Sequence, residues 1–133
     1  MKYQKNIFLR HIIFRYLPLL LWFSLIWILS SQEGLSGNAN PTLWFYLERK
    51  GAHVVEYFIL TFLIWRVVGI WTKSLLEQIL WTCIWVLWGA VFDESHQTLV
   101  MGREGKISDV GIDMIGASFA LFFLIRSALK KQK

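Results

Sequence analysis

Three short-range pairs of ionisable residues stand out in the chain. His53 and Glu56 are three apart, Asp93 and His96 are three apart, and Asp109 and Asp113 are four apart. On a helix such spacings bring side chains onto one face. Helical bundles collect carboxylate-bridged metal sites in this way, and Asp109 with Asp113 would complete a shell. A histidine beside carboxylates is equally suited to proton transfer near neutral pH. Lys50 and Arg103 stand close by in sequence and can neutralise the same carboxylates, so a divalent cation is the less favoured cofactor.

Helical geometry, at about 100° per residue, extends these sets. Lys50, His53 and Tyr57 fall on one face with Glu56 at its margin. Asp93, His96 and Gln97 share another face, from which Glu94 points about 100° away. Ser30, Ser31 and Gln32 end the first apolar stretch, where a serine is either a nucleophile or a hydrogen-bonding helix end. Gly102, Arg103, Gly105 and Lys106 form a turn before the next helix, a setting that suits an anion without matching a nucleotide phosphate loop. The residues assigned to proton transfer or charge balance are therefore His53, Glu56, Asp93, His96 and Asp113. Those assigned to ligand contact are Ser31, Gln32, Lys50, Glu94, Gln97, Arg103 and Asp109.

The elements that must position these residues follow from composition. In 133 residues, 56% are apolar and only 17% charged, with eight Trp, ten Phe and four Tyr. A soluble chain carries about 25% charged residues. Disorder, a collagen-like repeat and a charged coiled coil are excluded. A lone cysteine, Cys83, excludes an internal disulfide and a thiolate metal cluster, and it reads as a small apolar filler. What is left is an all-α polytopic membrane protein, with four transmembrane helices in one compact bundle and a single domain spanning 1–133. Four apolar stretches approach the roughly 20 residues needed to cross about 30 Å of hydrocarbon. They cover about residues 12–30, 52–71, 75–92 and 107–125. Thr42 to Glu48 reads as a short interfacial piece before the second span. The first span has a basic start but no clear cleavage site, so it is expected to be an uncleaved helix instead of a signal peptide. Trp44, Trp65 and Trp71 are expected at the interfaces, and Trp81, Trp85 and Trp88 deeper in the packing.

Charge sets the orientation. With a cytoplasmic N-terminus, Lys2, Lys5, Arg10, Arg15, Arg66, Lys73, Arg126, Lys130, Lys131 and Lys133 lie inside, against Arg49, Lys50, Arg103 and Lys106 outside. That asymmetry places both termini in the cytoplasm. Of the acidic residues only Glu77 lies inside. Glu33, Glu48, Glu56, Asp93, Glu94, Glu104, Asp109 and Asp113 gather at the outer ends, where a four-helix bundle can converge them on an outward-facing cavity. Basic residues dispersed along membrane edges speak against a nucleic-acid partner.

The strings Ser30-Ser31-Gln32, Lys50-Gly-Ala-His53-Val-Val-Glu56-Tyr57, Asp93-Glu94-Ser-His96-Gln97 continuing to Gly102-Arg103, and Asp109-Val-Gly-Ile-Asp113 with Gly116-Ala117 resemble the VanZ-like membrane family. Order, spacing and residue type agree from about Ser30 to Ala117. Met101 departs from the pattern, which favours proline before the Gly-Arg pair. The resemblance implies an association with low-level resistance to teicoplanin, a glycopeptide that binds peptidoglycan precursors at the outer surface. It brings no settled reaction.

Two functions from different classes fit these residues. One is an envelope protein that binds or modifies an anionic component, such as a lipid-linked cell-wall precursor or a phospholipid. The other is a non-catalytic membrane scaffold whose polar layer only holds the bundle together. A proton or ion carrier fits less well, since ionisable residues in the inner halves of the spans occur only near the cytoplasmic ends.

Overall fold

The computed structural model describes residues 2–33, 42–103 and 105–131. Glu104 and Lys133, which entered the charge distribution, lie outside the described residues. So do the side chains of Lys2, Lys5, Arg10, Phe45 and Tyr46.

Four helices follow in order: α1 (Lys2–Ser30), α2 (Leu43–Val68), α3 (Leu75–Gln97) and α4 (Ile107–Lys130). Each is long and apolar enough to cross a membrane, and the described residues contain no strand. In hydrocarbon only a backbone bonded within its own helix, or closed into a barrel, is tolerated, and these four helices meet that demand.

Every helix is longer than the apolar stretch that announces it. The first begins at Lys2 instead of residue 12, the third continues from 92 to Gln97, and the fourth from 125 to Lys130. Hydropathy marks the part of a helix that suits lipid, whereas the backbone ladder runs on wherever its own hydrogen bonds can form. The second differs at both ends. Of Thr42 to Glu48, expected as a separate interfacial piece, all but Thr42 forms the first turns of α2. The helix then stops at Val68, and Gly69, Ile70 and Trp71 bend into a turn bonded to the carbonyls of Trp65, Val67 and Val68 at 3.0–3.2 Å.

Local chemistry explains where α3 starts. The Ser74 hydroxyl accepts the Glu77 N–H at 3.2 Å, and the Glu77 carboxylate accepts the Lys73 N–H at 2.9 Å, a reciprocal arrangement that satisfies donors left over at a helix start. Pro18 lies inside α1 without ending it.

The helices run alternately up and down, so the end of α1, the start of α2, the end of α3 and the start of α4 meet at one polar end. At the opposite end Arg15 donates to the Arg66 carbonyl at 3.0 Å, closing the last turn of α2. The central helix is α2, which packs on α1, α3 and α4. Its approach to α4 is closest at Gly116, where a Cβ would strike the backbone carbonyl of Val54. Close backbone approach through small residues is one of the sources of helix adhesion in lipid, where burial of apolar surface gains little.

Ile26, Tyr57, Leu60, Ile64, Val68, Val86, Ala90, Val110 and Ala117 form the buried core. Trp81, Trp85 and Trp88, expected deeper, lie on the exposed face of α3 with Leu80, Ile84 and Leu87. A helix presenting that much aromatic and aliphatic surface needs lipid beside it.

Candidate functional site

Along α2 the residues Arg49, Ala52, His53 and Glu56 recur at helical spacing and face the end of α1. Together with Leu29 and Ser30 of α1, Gln32 just beyond it and Arg103 of the α3–α4 loop they line a cavity of about 180 Å³ at the polar end.

Arg103 closes one side of it. Its Nε donates to the Gln32 carbonyl at 2.7 Å and one Nη to the Leu29 carbonyl at 3.0 Å. They tie the loop to carbonyls at and just beyond the end of α1, where a cation also complements the helix dipole. The turn that carries Arg103 needs Gly102, whose φ of 73° lies in the left-handed region. At the far side of the loop, the Lys106 N–H donates to the Glu94 carboxylate. Burial, and then the like charge of Arg49, pull the Arg103 guanidinium down from its usual value, yet it stays cationic at neutral pH. Two guanidinium groups thus share a partly buried space, and neither forms an ion pair with a carboxylate among the described residues.

Arg49 is held by Gln97, whose side-chain oxygen accepts from it at 3.0 Å. The amide nitrogen of Gln97 donates to Asp93 Oδ2 at 2.9 Å and, more weakly, to Ser30 Oγ at 3.4 Å. One buried glutamine therefore ties α1, α2 and α3 together below the cavity.

His53 points its Nδ1 at Asp113 Oδ1, 3.0 Å away on α4. Asp113 is fully buried. Because a carboxylate accepts, Nδ1 carries the proton, and Nε2 is the nitrogen left for anything in the cavity. Glu56 also lines the cavity and has no side-chain hydrogen bond among the described residues; the charged groups facing it are His53, Asp93 and Arg103. Behind them sit four buried atoms without a hydrogen-bond partner among the described residues: Tyr57 Oη, Asp93 Oδ1, Glu94 Oε2 and Asp113 Oδ2.

The remaining sequence candidates lie elsewhere. Lys50 stands 3.6 Å from Asp109 at the surface, away from the cavity wall. His96 stacks on Trp27, ring centroids 3.8 Å apart, and its Nε2 lies 2.9 Å from Ser31 Oγ. Ser31 has a single proton, and the Trp27 carbonyl, 2.7 Å away and able only to accept, takes it. His96 therefore donates to Ser31, the reverse of a base activating a nucleophile. His53 bonds Asp113 on α4, Asp93 bonds Gln97 on its own face of α3, and Arg103 bonds main-chain carbonyls instead of neutralising a carboxylate. Among the described residues, no three His, Cys, Asp or Glu side chains are grouped so as to hold a metal ion.

Sequence reasoning missed Arg49, which it counted only as an outer charge. The signal was present in the run Arg49, His53, Glu56, spaced four and three apart, which is one stripe of a helix.

Four membrane-length helices with an ionisable cavity at one end define a multi-pass membrane protein. The family model described as VanZ/LLP1 matches residues 10–129, and the chain belongs to that family. Neither characterised proteins nor solved structures give a significant match to it.

Proposed function

We propose that this protein resides in the cell membrane with both termini cytoplasmic, and that its polar cavity faces outward to bind the anionic head of an envelope lipid or lipid-linked cell-wall precursor. One observation carries the reading: Arg49 and Arg103 converge on the cavity with no carboxylate paired to either among the described residues. Guanidinium groups match phosphate geometry through paired donors. Two of them in a partly buried space repel each other until an anion arrives. A link to glycopeptide tolerance belongs to the same reading, since teicoplanin acts on precursors presented at that surface.

A second reading has its own support. Lys50 with Asp109, His96 with Ser31, and Gln97 with Arg49 and Ser30 are all contacts between helices, as expected of a polar layer that only holds a scaffold together.

Lipid extracted from the detergent-purified protein and analysed by mass spectrometry separates the two. Anion binding requires phosphate-headed lipid enriched over the bulk membrane, and loss of that enrichment in an Arg49→Gln/Arg103→Gln variant that still folds. A scaffold carries lipid in the bulk ratio in both proteins.

A further inference from the structure

The wall of the cavity holds a group that an anion-binding site has no use for. Glu56 shares the cavity wall with Arg103 and His53 and is unpaired among the described residues, so its carboxylate repels any anion that enters. A site that only holds a phosphate would place a neutral donor there. A site that cleaves one can use a carboxylate there to take a proton from water.

The neighbouring groups fit the other half of such a reaction. His53 faces Asp113, Glu56 and Asp93. Asp113, buried and bonded to Nδ1, holds the ring in one orientation and stabilises its protonated form. Nε2, with no hydrogen-bond partner among the described residues, is left to give a proton to a leaving oxygen. Size narrows the substrate: about 180 Å³ is well below the roughly 300–1,000 Å³ of pockets that enclose a drug-sized ligand, so a small head enters while the rest stays outside.

We infer that the cavity hydrolyses the terminal phosphate of a lipid monophosphate or diphosphate, with Glu56 as general base, protonated His53 as general acid, Asp113 as positioning residue, and Arg49 with Arg103 holding the phosphoryl oxygens. This rests on the anion-binding reading above. Glu56 removes a proton from water as the water oxygen bonds to phosphorus. The bond from phosphorus to the leaving oxygen breaks, and His53 protonates that oxygen. The products are orthophosphate and either a lipid alcohol or a lipid monophosphate. The proton on Glu56 then restores His53, and the net reaction consumes one water. The two arginines act on charge that develops on the phosphoryl oxygens in the transition state.

The test uses the full chain in phosphatidylcholine nanodiscs, with dioleoyl phosphatidic acid and farnesyl diphosphate as probes, reading released orthophosphate and, separately, probe binding. The wild type releases orthophosphate from at least one probe. Glu56→Gln lowers kcat about 10²–10⁴-fold without raising KM, because the repelling charge is gone while the arginines remain. Asp113→Asn lowers kcat and shifts its pH profile, which loss of a merely structural contact would not do. Should Glu56→Gln fail to fold, His53→Gln is put to the same kcat and KM test. Binding of either probe that depends on the arginines, with no phosphate released from either, overturns the hydrolysis and leaves the binding reading standing. No binding of either probe overturns both. A Glu56→Gln rate equal to the wild type also overturns the proposed chemistry.

Discussion

The His53 imidazole and the Asp113 carboxylate meet 3.0 Å apart across the α2–α4 interface, with the aspartate wholly out of contact with solvent. This buried pair joins the two helices that approach most closely, and its histidine also forms part of the cavity wall. Structure and site therefore share one bond.

Breaking that bond from one side is expected to be more harmful than removing it altogether. His53→Ala leaves Asp113 with both oxygens unpartnered, since Oδ2 already lacks a partner, and breaking a buried pair in this way costs about 3–5 kcal/mol. His53→Leu/Asp113→Leu removes both charges and should lose much less. Reversible unfolding in mixed micelles measures both. Equal losses in the single and double variants would show that the charges are not what matters there.

Gly116 makes a sharper test of packing. A side chain at this position meets the Val54 backbone, which has no free end to swing aside. Gly116→Ala is expected to push α4 off α2, at about 1–3 kcal/mol as for other overpacked cores. At Gly111, on the same helix, an added Cβ would meet nothing within 4 Å, and Gly111→Ala should be within about 0.5 kcal/mol of the wild type. The same unfolding assay compares them, and a harmless Gly116→Ala rules out the close approach.

These helices show what can and cannot be read from one chain. The four spans and the gathering of polar residues at their ends are legible because lipid imposes apolar length on every crossing. His53, Glu56, Gln32 and Arg103, singled out by type and spacing, all line the cavity. Pairing is not legible, because spacing along one helix only reveals neighbours on that helix. His53 finds Asp113 sixty residues away, and His96 finds Ser31 sixty-five away. Arg49 escapes notice for a related reason: as a marker of topology it is not also weighed as part of a stripe. Aromatic bulk usually is buried, which puts the three tryptophans of α3 inside on sequence grounds, yet beside lipid an exposed ring carries little penalty.

The proposed outward orientation has a direct test. With Cys83, the sole cysteine, replaced by Ala, single cysteines are introduced at Leu99 in the exposed α3–α4 loop and at Lys131 after α4. A membrane-impermeant maleimide added to intact cells should label the Leu99→Cys protein and spare the Lys131→Cys protein until the cells are opened. The opposite pattern inverts the topology and puts the cavity on the cytoplasmic side.

Lys50 separates charge in general from charge in the cavity. Its pairing with Asp109 is solvent-exposed on the lysine side, and such pairs contribute less than about 1 kcal/mol. Lys50→Ala should leave both stability and ligand affinity nearly unchanged. A large fall in affinity would move the anion site away from Arg49 and Arg103, towards the start of α4.

The most direct measurement is a calorimetric titration of the nanodisc-embedded protein with a soluble short-chain phosphatidic acid, in the wild type and in Arg49→Gln/Arg103→Gln, with folding of each checked by thermal melting. Two lost charge-assisted contacts, each about 1.5–3 kcal/mol, correspond to at least a hundredfold weaker binding. The expected result is one saturable site in the wild type and that loss in the variant. Equal affinity in the two folded proteins, or no saturable binding to the wild type, would contradict an anion-binding role for the cavity.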